Sequence, residues 1–130
     1  MQIRNFKSVL PLLLFTTVLF ADGDPQLSVT IGSRLFDATA GEELYKSSCQ
    51  GCHMPDGKGA QGAGMYPSLV KNVRLMSAKA TVETVTNGLR GMPAFREYLE
   101  DAQIVEVVNY VRTNFGNNFK DVASVSDIPK

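Results

Sequence analysis

Tryptophan is missing from this chain of 130 residues, histidine occurs once and cysteine twice. With so few soft ligands, a four-ligand zinc site of Cys and His alone cannot be assembled within one chain. An excess of one charge is lacking too, since 13 Lys and Arg balance 13 Asp and Glu. There is no basic surplus for a phosphate backbone and no Trp for stacking bases, which removes nucleic acid from the candidate partners. No apolar run reaches the about 20 residues of a membrane-spanning helix. What is present suits a folded domain: 44% of residues are apolar and 20% charged, unlike a disordered tail or a polytopic membrane protein. At roughly 100 to 200 residues per domain, the length fits one domain and excludes a multidomain enzyme.

The first segment reads as a removable address. Residues 1–7 carry Arg4 and Lys7 and no acid, and an uncharged, largely apolar run extends from Ser8 to Phe20 before Ala21. These are the n-region and h-region of a secretory signal peptide, residues 1–21, cleaved near Ala21. The run is short for an anchor and contains Pro11, so no stable membrane anchor is expected after cleavage. Leu19 stands where a small residue is usual, which leaves the exact cut open. The mature chain is then exported, to an oxidising periplasmic compartment.

Residues 22–39 form an expected N-terminal arm with weak alternation at Val29, Ile31 and Leu35. Thr39 and Glu42 have the spacing of a capping box, and a short helix through Leu44, Tyr45 and Ser48 leads into Cys49. Gly51 to Gly64 is rich in Gly and Pro and reads as a loop that bends closely around something. Ser77 caps a predicted helix over 78–86, closed by Asn87 and Gly88. After the Gly91-Met92-Pro93 loop, Asp101 opens a helix to about Phe115, with Ile104, Val108, Val111 and Phe115 on one core face. Gly116, Asn117 and Asn118 stop it, and residues 117–130 are a C-terminal tail, a peripheral strap or a loose end.

Both cysteines and the one histidine fall together in Cys49-Gln50-Gly51-Cys52-His53. This is the Cys-x-x-Cys-His attachment signature for a c-type haem. Thiols three positions apart on a helical turn point the same way, so each can form a thioether to one vinyl group of one porphyrin. His53 then lies beneath the ring, where a neutral imidazole binds iron axially. A thioredoxin-like redox pair needs a βαβ surround that the pattern does not offer. A disulfide between residues so close in sequence closes too small a loop to stabilise much, and zinc finds no comparable ligands elsewhere. A second His for the far axial position is lacking, and a thioether is the obvious substitute. Met54 is bonded to His53 and sits on the wrong side, and Met76 reads as a filler of core gaps. Met92, held extended between Gly91 and Pro93, is the first choice, and Met65 in its Gly-rich setting is the rival.

Gly41 and Tyr45 before the Cys-x-x-Cys-His motif, the Asp56 to Gly59 turn, Tyr66-Pro67-Ser68-Leu69, Gly91-Met92-Pro93-Ala94-Phe95 and the helix through Tyr110 together resemble the small soluble class I cytochromes c. The resemblance implies an all-α cytochrome c fold, three to four helices and long loops wrapped around one covalently attached haem c, in a cytochrome c domain over residues 40–116. It implies that Gly41 and Tyr110 meet where the first and last helices cross. It also implies that the Pro67 carbonyl accepts a hydrogen bond from the non-ligating nitrogen of His53. Glu100 departs from the family's usual Ser or Thr cap, at an expected cost in helix stability.

With His53 and Met92 as axial iron ligands, substrate cannot coordinate the metal, and one-electron exchange remains. Met ligation raises the potential, and no hydrolytic or group-transfer constellation is present, so catalysis is not expected. The ending from Tyr110-Val111-Arg112 to Phe115-Gly116-Asn117 resembles cytochromes that serve periplasmic flavin or quinone dehydrogenases. The expected function is thus an electron carrier between a dehydrogenase donor and an oxidase or another cytochrome as acceptor. Residues 46–96 carry seven basic residues against two acidic, while the flanking stretches are acidic. Lys58, Lys71, Arg74, Lys79, Arg90 and Arg96 are therefore candidates to ring the haem edge and steer an acidic partner. The alternative is a haem protein with an open or labile sixth site, a gas sensor or a peroxidase-like enzyme.

Overall fold

A computed structural model describes residues 38–62 and 64–130. The expected signal peptide and the N-terminal arm up to residue 37 lie outside the described residues. Helix α1 (Gly41–Leu44) leads through a π-helical turn (Tyr45–Cys49) into α2 (Gln50–His53). The long helices are α3 (Ala78–Asn87) and α4 (Asp101–Thr113). Single 3₁₀ turns occupy Val73–Leu75, Phe95–Glu97 and Val125–Asp127. From within the expected Gly51–Gly64 loop, β1 (Ala60–Gln61) pairs antiparallel with β2 (Met65–Tyr66) just beyond it, Ala60 opposite Tyr66.

The apolar face of α4 organises the core. Ile104, Val105, Val107, Val108 and Val111 are buried with Leu44, Tyr45, Ala78, Val82, Phe95, Leu99 and Ala123. Helix α1 crosses α4 at Gly41, where an added Cβ would strike the Glu106 carbonyl and come within 2.7 Å of the Tyr110 Cβ. Only glycine permits that approach, and it sets how the helical turn before Cys49 leaves the core.

Three local expectations are corrected. The Thr39 capping box does not form: Ala40 is the N-cap of α1, without a side-chain hydrogen bond. The close crossing at Gly41 begins the helix too late for Thr39 to cap it. Helix α4 ends at Thr113, because Phe115 (φ 53°) and Gly116 (φ 75°) turn left-handed. The Phe115 ring instead packs against Tyr45 at 4.8 Å and Tyr110 at 5.8 Å between centroids. Glu100 is not a defective cap, since its side chain and that of Gln103 form a reciprocal capping box, with Gln103 Oε1 accepting from Glu100 N–H at 2.9 Å. Ser77 and Gly88 (φ 74°) bound α3 as expected.

Residues 117–130 are a strap rather than a loose end. Asn117 is buried and donates to the carbonyls of Leu69 and Val111, both at 2.8 Å, while its Oδ1 accepts from Asn72 N–H. Arg112 is 1% exposed. Its guanidinium donates to the Leu75 carbonyl at 2.8 Å, to the Met76 carbonyl at 3.0 Å, and to both the carbonyl and the carboxylate of Asp121.

Candidate haem-attachment site

The helical turn that delivers Cys49 is wider than an α-turn for a local reason. Ser48 Oγ and Ser47 Oγ both donate to the Leu44 carbonyl, competing with backbone donors. The Gln50 N–H consequently reaches back to Tyr45, a π-type bond. Cys49 is half-buried and Cys52 exposed, and both are free thiols. Burial raises the Cys49 pKa.

His53 is gripped at the ring and at the backbone. Its Nδ1 lies 2.9 Å from the Pro67 carbonyl, which can only accept, so Nδ1 donates and Nε2 is the ring nitrogen left to serve as a ligand. The His53 carbonyl accepts from Gly59 N–H at 3.0 Å. Gly59 (φ 69°) lies so close to the Tyr66 and Pro67 backbone that a Cβ would collide with it. The β1–β2 hairpin thus brings Pro67 to the imidazole. Met54 (φ 65°) turns the chain sharply after His53. Its carbonyl accepts from the Tyr45 hydroxyl at 2.6 Å and from Gly57 N–H at 3.1 Å. Burial pushes the Tyr45 phenol up to about 12. The Pro67 contact is the one the family resemblance implied; the Gly59 and Tyr45 supports were not read from the sequence, where the glycines at 57 and 59 were the available signal.

Met92 lies in the turn after α3, where Leu89 and Met92 exchange backbone hydrogen bonds of 3.1 and 3.0 Å and Arg90 takes φ 58°. Its side chain is partly buried and packs against the core. Met65 on β2 is 80% exposed and Met76 66% exposed. Met76 is therefore no filler of the core: Leu75 takes the inward position of that 3₁₀ turn, and Met76 contributes its carbonyl to Arg112.

Lys71, Arg74, Lys79 and Arg90 are exposed. Lys58 is paired with Asp56 at 2.7 Å, an exposed contact that lowers the Asp56 pKa and raises that of Lys58. Arg96 is engaged with the tail, donating to the Pro129 carbonyl at 3.2 Å.

The residues present fit a covalently held haem. Two free thiols and a pre-oriented imidazole lie on one helical stretch. Large apolar side chains are exposed beside both candidate ligands, Met65 and Tyr66 next to Pro67 and Leu89 opposite Met92, where an apolar macrocycle is a suitable partner. Among the described residues a thioredoxin-like reading finds a single pair of two-residue strands. Among the described residues no group of three or more His, Cys, Asp or Glu is arranged to hold a metal ion.

Comparison with known proteins agrees with this chemistry. Residues 36–111 match the family described as "Cytochrome C oxidase, cbb3-type, subunit III". Cytochrome c6 of Leptolyngbya boryana is 40% identical over 79 residues, which are 58% of this chain and 89% of that one. The cytochrome c subunit of the quinone alcohol dehydrogenase of Gluconobacter oxydans (strain 621H) is 34% identical over 104 residues, 70% of this chain. This chain spans only 21% of that relative's length. Among solved structures, cytochrome c6C from Synechococcus sp. PCC 7002 superposes with a TM-score of 0.51 at 25% identity, covering 58% of this chain and 94% of that one. The chain belongs to the family matched over residues 36–111 and is a small class I c-type cytochrome, an electron-transfer protein with covalently bound haem c.

Proposed function

We propose that the protein is an exported, periplasmic single-electron carrier that accepts electrons from a flavin- or quinone-dependent dehydrogenase and passes them to the respiratory chain, with an oxidase or another cytochrome as acceptor. The signal-like residues 1–21 support export. The likeness to a dehydrogenase cytochrome subunit supports the donor class. Haem c, when bound, supplies reversible one-electron exchange between ferrous and ferric iron.

Cys49 and Cys52 would hold the group through thioethers, with His53 and Met92 as the ligands to its iron. The single observation that carries this assignment is the His53–Pro67 hydrogen bond, which orients the ring, leaves Nε2 for the metal and makes the imidazole a stronger donor. Met92 keeps external ligands from the iron and raises the potential relative to a second His. Lys71, Arg74, Lys79 and Arg90, with Lys58 and Arg96 contributing less because each is already engaged, steer an acidic redox partner in a brief, salt-sensitive encounter.

Met92→Ala tests the assignment. Haem stays attached, the potential falls and reduced protein binds carbon monoxide. Unchanged ligation would sink Met92, and an open site in the unaltered protein would favour a gas sensor or a peroxidase-like enzyme.

A further inference from the structure

The family match ends at residue 111, yet the chain beyond it is built into the fold. Asp121 is held by Arg112, and its Oδ2 accepts from Ala78 N–H at 3.1 Å, at the first residue of α3. Asn109 closes around Ala123, donating to its carbonyl at 3.1 Å and accepting from its N–H at 2.9 Å. A capping box between Ser124 and Asp127 shapes the following turn. Ile128 then packs against the core, and the Pro129 carbonyl accepts from Arg96.

Ala78 and Arg96 are the two ends of one segment: α3, the Leu89–Met92 turn and the start of the next 3₁₀ turn. Met92 sits inside it. From within, the loop between Gly88 and Phe95 is held by the one pair of Leu89–Met92 backbone bonds, and it contains two left-handed residues, Gly88 (φ 74°) and Arg90 (φ 58°). A loop with few internal bonds opens locally at low free energy unless something outside holds its ends. The tail touches both.

We propose that residues 121–129 are a brace that keeps the Met92 loop closed, making Asp121, Ile128 and Arg96 positioning residues for the sixth iron ligand. The brace rests on Met92 being that ligand. It acts by lowering the population in which the loop has opened, and an external ligand's apparent affinity scales with that population.

The test is imidazole titration of the ferric, haem-loaded protein. A chain ending at Ser124, or Arg96→Gln combined with Ile128→Ala where the shortened chain does not fold, should bind imidazole about tenfold more tightly than the full chain. In a Met92→Ala background the same tail changes should have no effect, because the position is already open, and this cycle separates bracing from general loosening. Unaltered imidazole affinity on loss of the tail contacts, with Met92→Ala still raising it, overturns the brace alone. If Met92→Ala itself leaves the affinity unchanged, Met92 is not the ligand and both assignments fall.

Discussion

Arg112→Ala should be among the most damaging single changes outside the haem site. The side chain is 1% exposed and its guanidinium serves four acceptors, the carbonyls of Leu75, Met76 and Asp121 and the Asp121 carboxylate, with the Phe119 ring 5.6 Å away. A hydrogen bond from a charged donor is worth about 1.5–3 kcal/mol. Removing the donor takes a hydrogen bond from the Leu75 and Met76 carbonyls, and an acceptor left unsatisfied costs about 1–3 kcal/mol; the Asp121 carboxylate, 58% exposed, is rehydrated and adds little, while the lost packing of the Arg stem acts in the same direction. We therefore expect a loss of about 2–4 kcal/mol for the alanine variant, set by the two carbonyls left without their donor. Arg112→Lys should fall between the two, because a point donor cannot serve a forked set of acceptors. Denaturant unfolding of the haem-loaded protein reads this as a lower midpoint at an unchanged slope. A loss below about 1 kcal/mol would class the contact with ordinary exposed ion pairs and refute the reasoning. The same network sets an acid limit. Hydrogen bonding from Arg112 holds the Asp121 carboxyl below its usual 3.8. A carboxyl depressed by folding stabilises the native state above that usual value and stops doing so as pH falls through the depressed one. Asp121→Asn should accordingly flatten the stability decline below pH 3.8; an unchanged acid profile would contradict the linkage.

Gly41→Ala should cost about 1–3 kcal/mol by overpacking the α1–α4 crossing, since the new methyl meets backbone rather than a flexible side-chain tip; calorimetry of the haem-loaded protein checks it. Tyr45→Phe keeps the aromatic packing but removes the hydroxyl donated to the Met54 carbonyl. It should lower stability by about 1 kcal/mol and shift the reduction potential by loosening the turn after His53. A potential identical to that of the unaltered protein would make the hydroxyl purely structural.

The elements that could be read from sequence were those whose signals are local. The α4 face follows from the spacing of Ile104, Val108 and Val111, α3 from Ser77 and Gly88, and the attachment motif from five contiguous residues. The Gly41–Tyr110 contact and the Pro67 hydrogen bond were accessible through family resemblance. Features set by contacts distant in sequence were not legible. Periodicity carries α4 to Phe115, but that ring gains more by joining Tyr45 and Tyr110. Glu100 is a poor cap by residue type and a working one because Gln103 completes the box. An arginine in a helix reads as a solvated charge, and only the fold reveals the carbonyls and the aspartate that bury Arg112. Met76 was misjudged because a thioether is apolar enough for a core yet nothing local distinguishes it from Leu75, which took the inward place.

The central proposal is that His53 and Met92 both serve as ligands to the iron of one covalent haem. The most direct measurement is the visible spectrum of the purified protein reduced with dithionite, before and after carbon monoxide. Two protein ligands predict a sharp low-spin haem c spectrum indifferent to the gas, and a spectrum that shifts with carbon monoxide would contradict the claim.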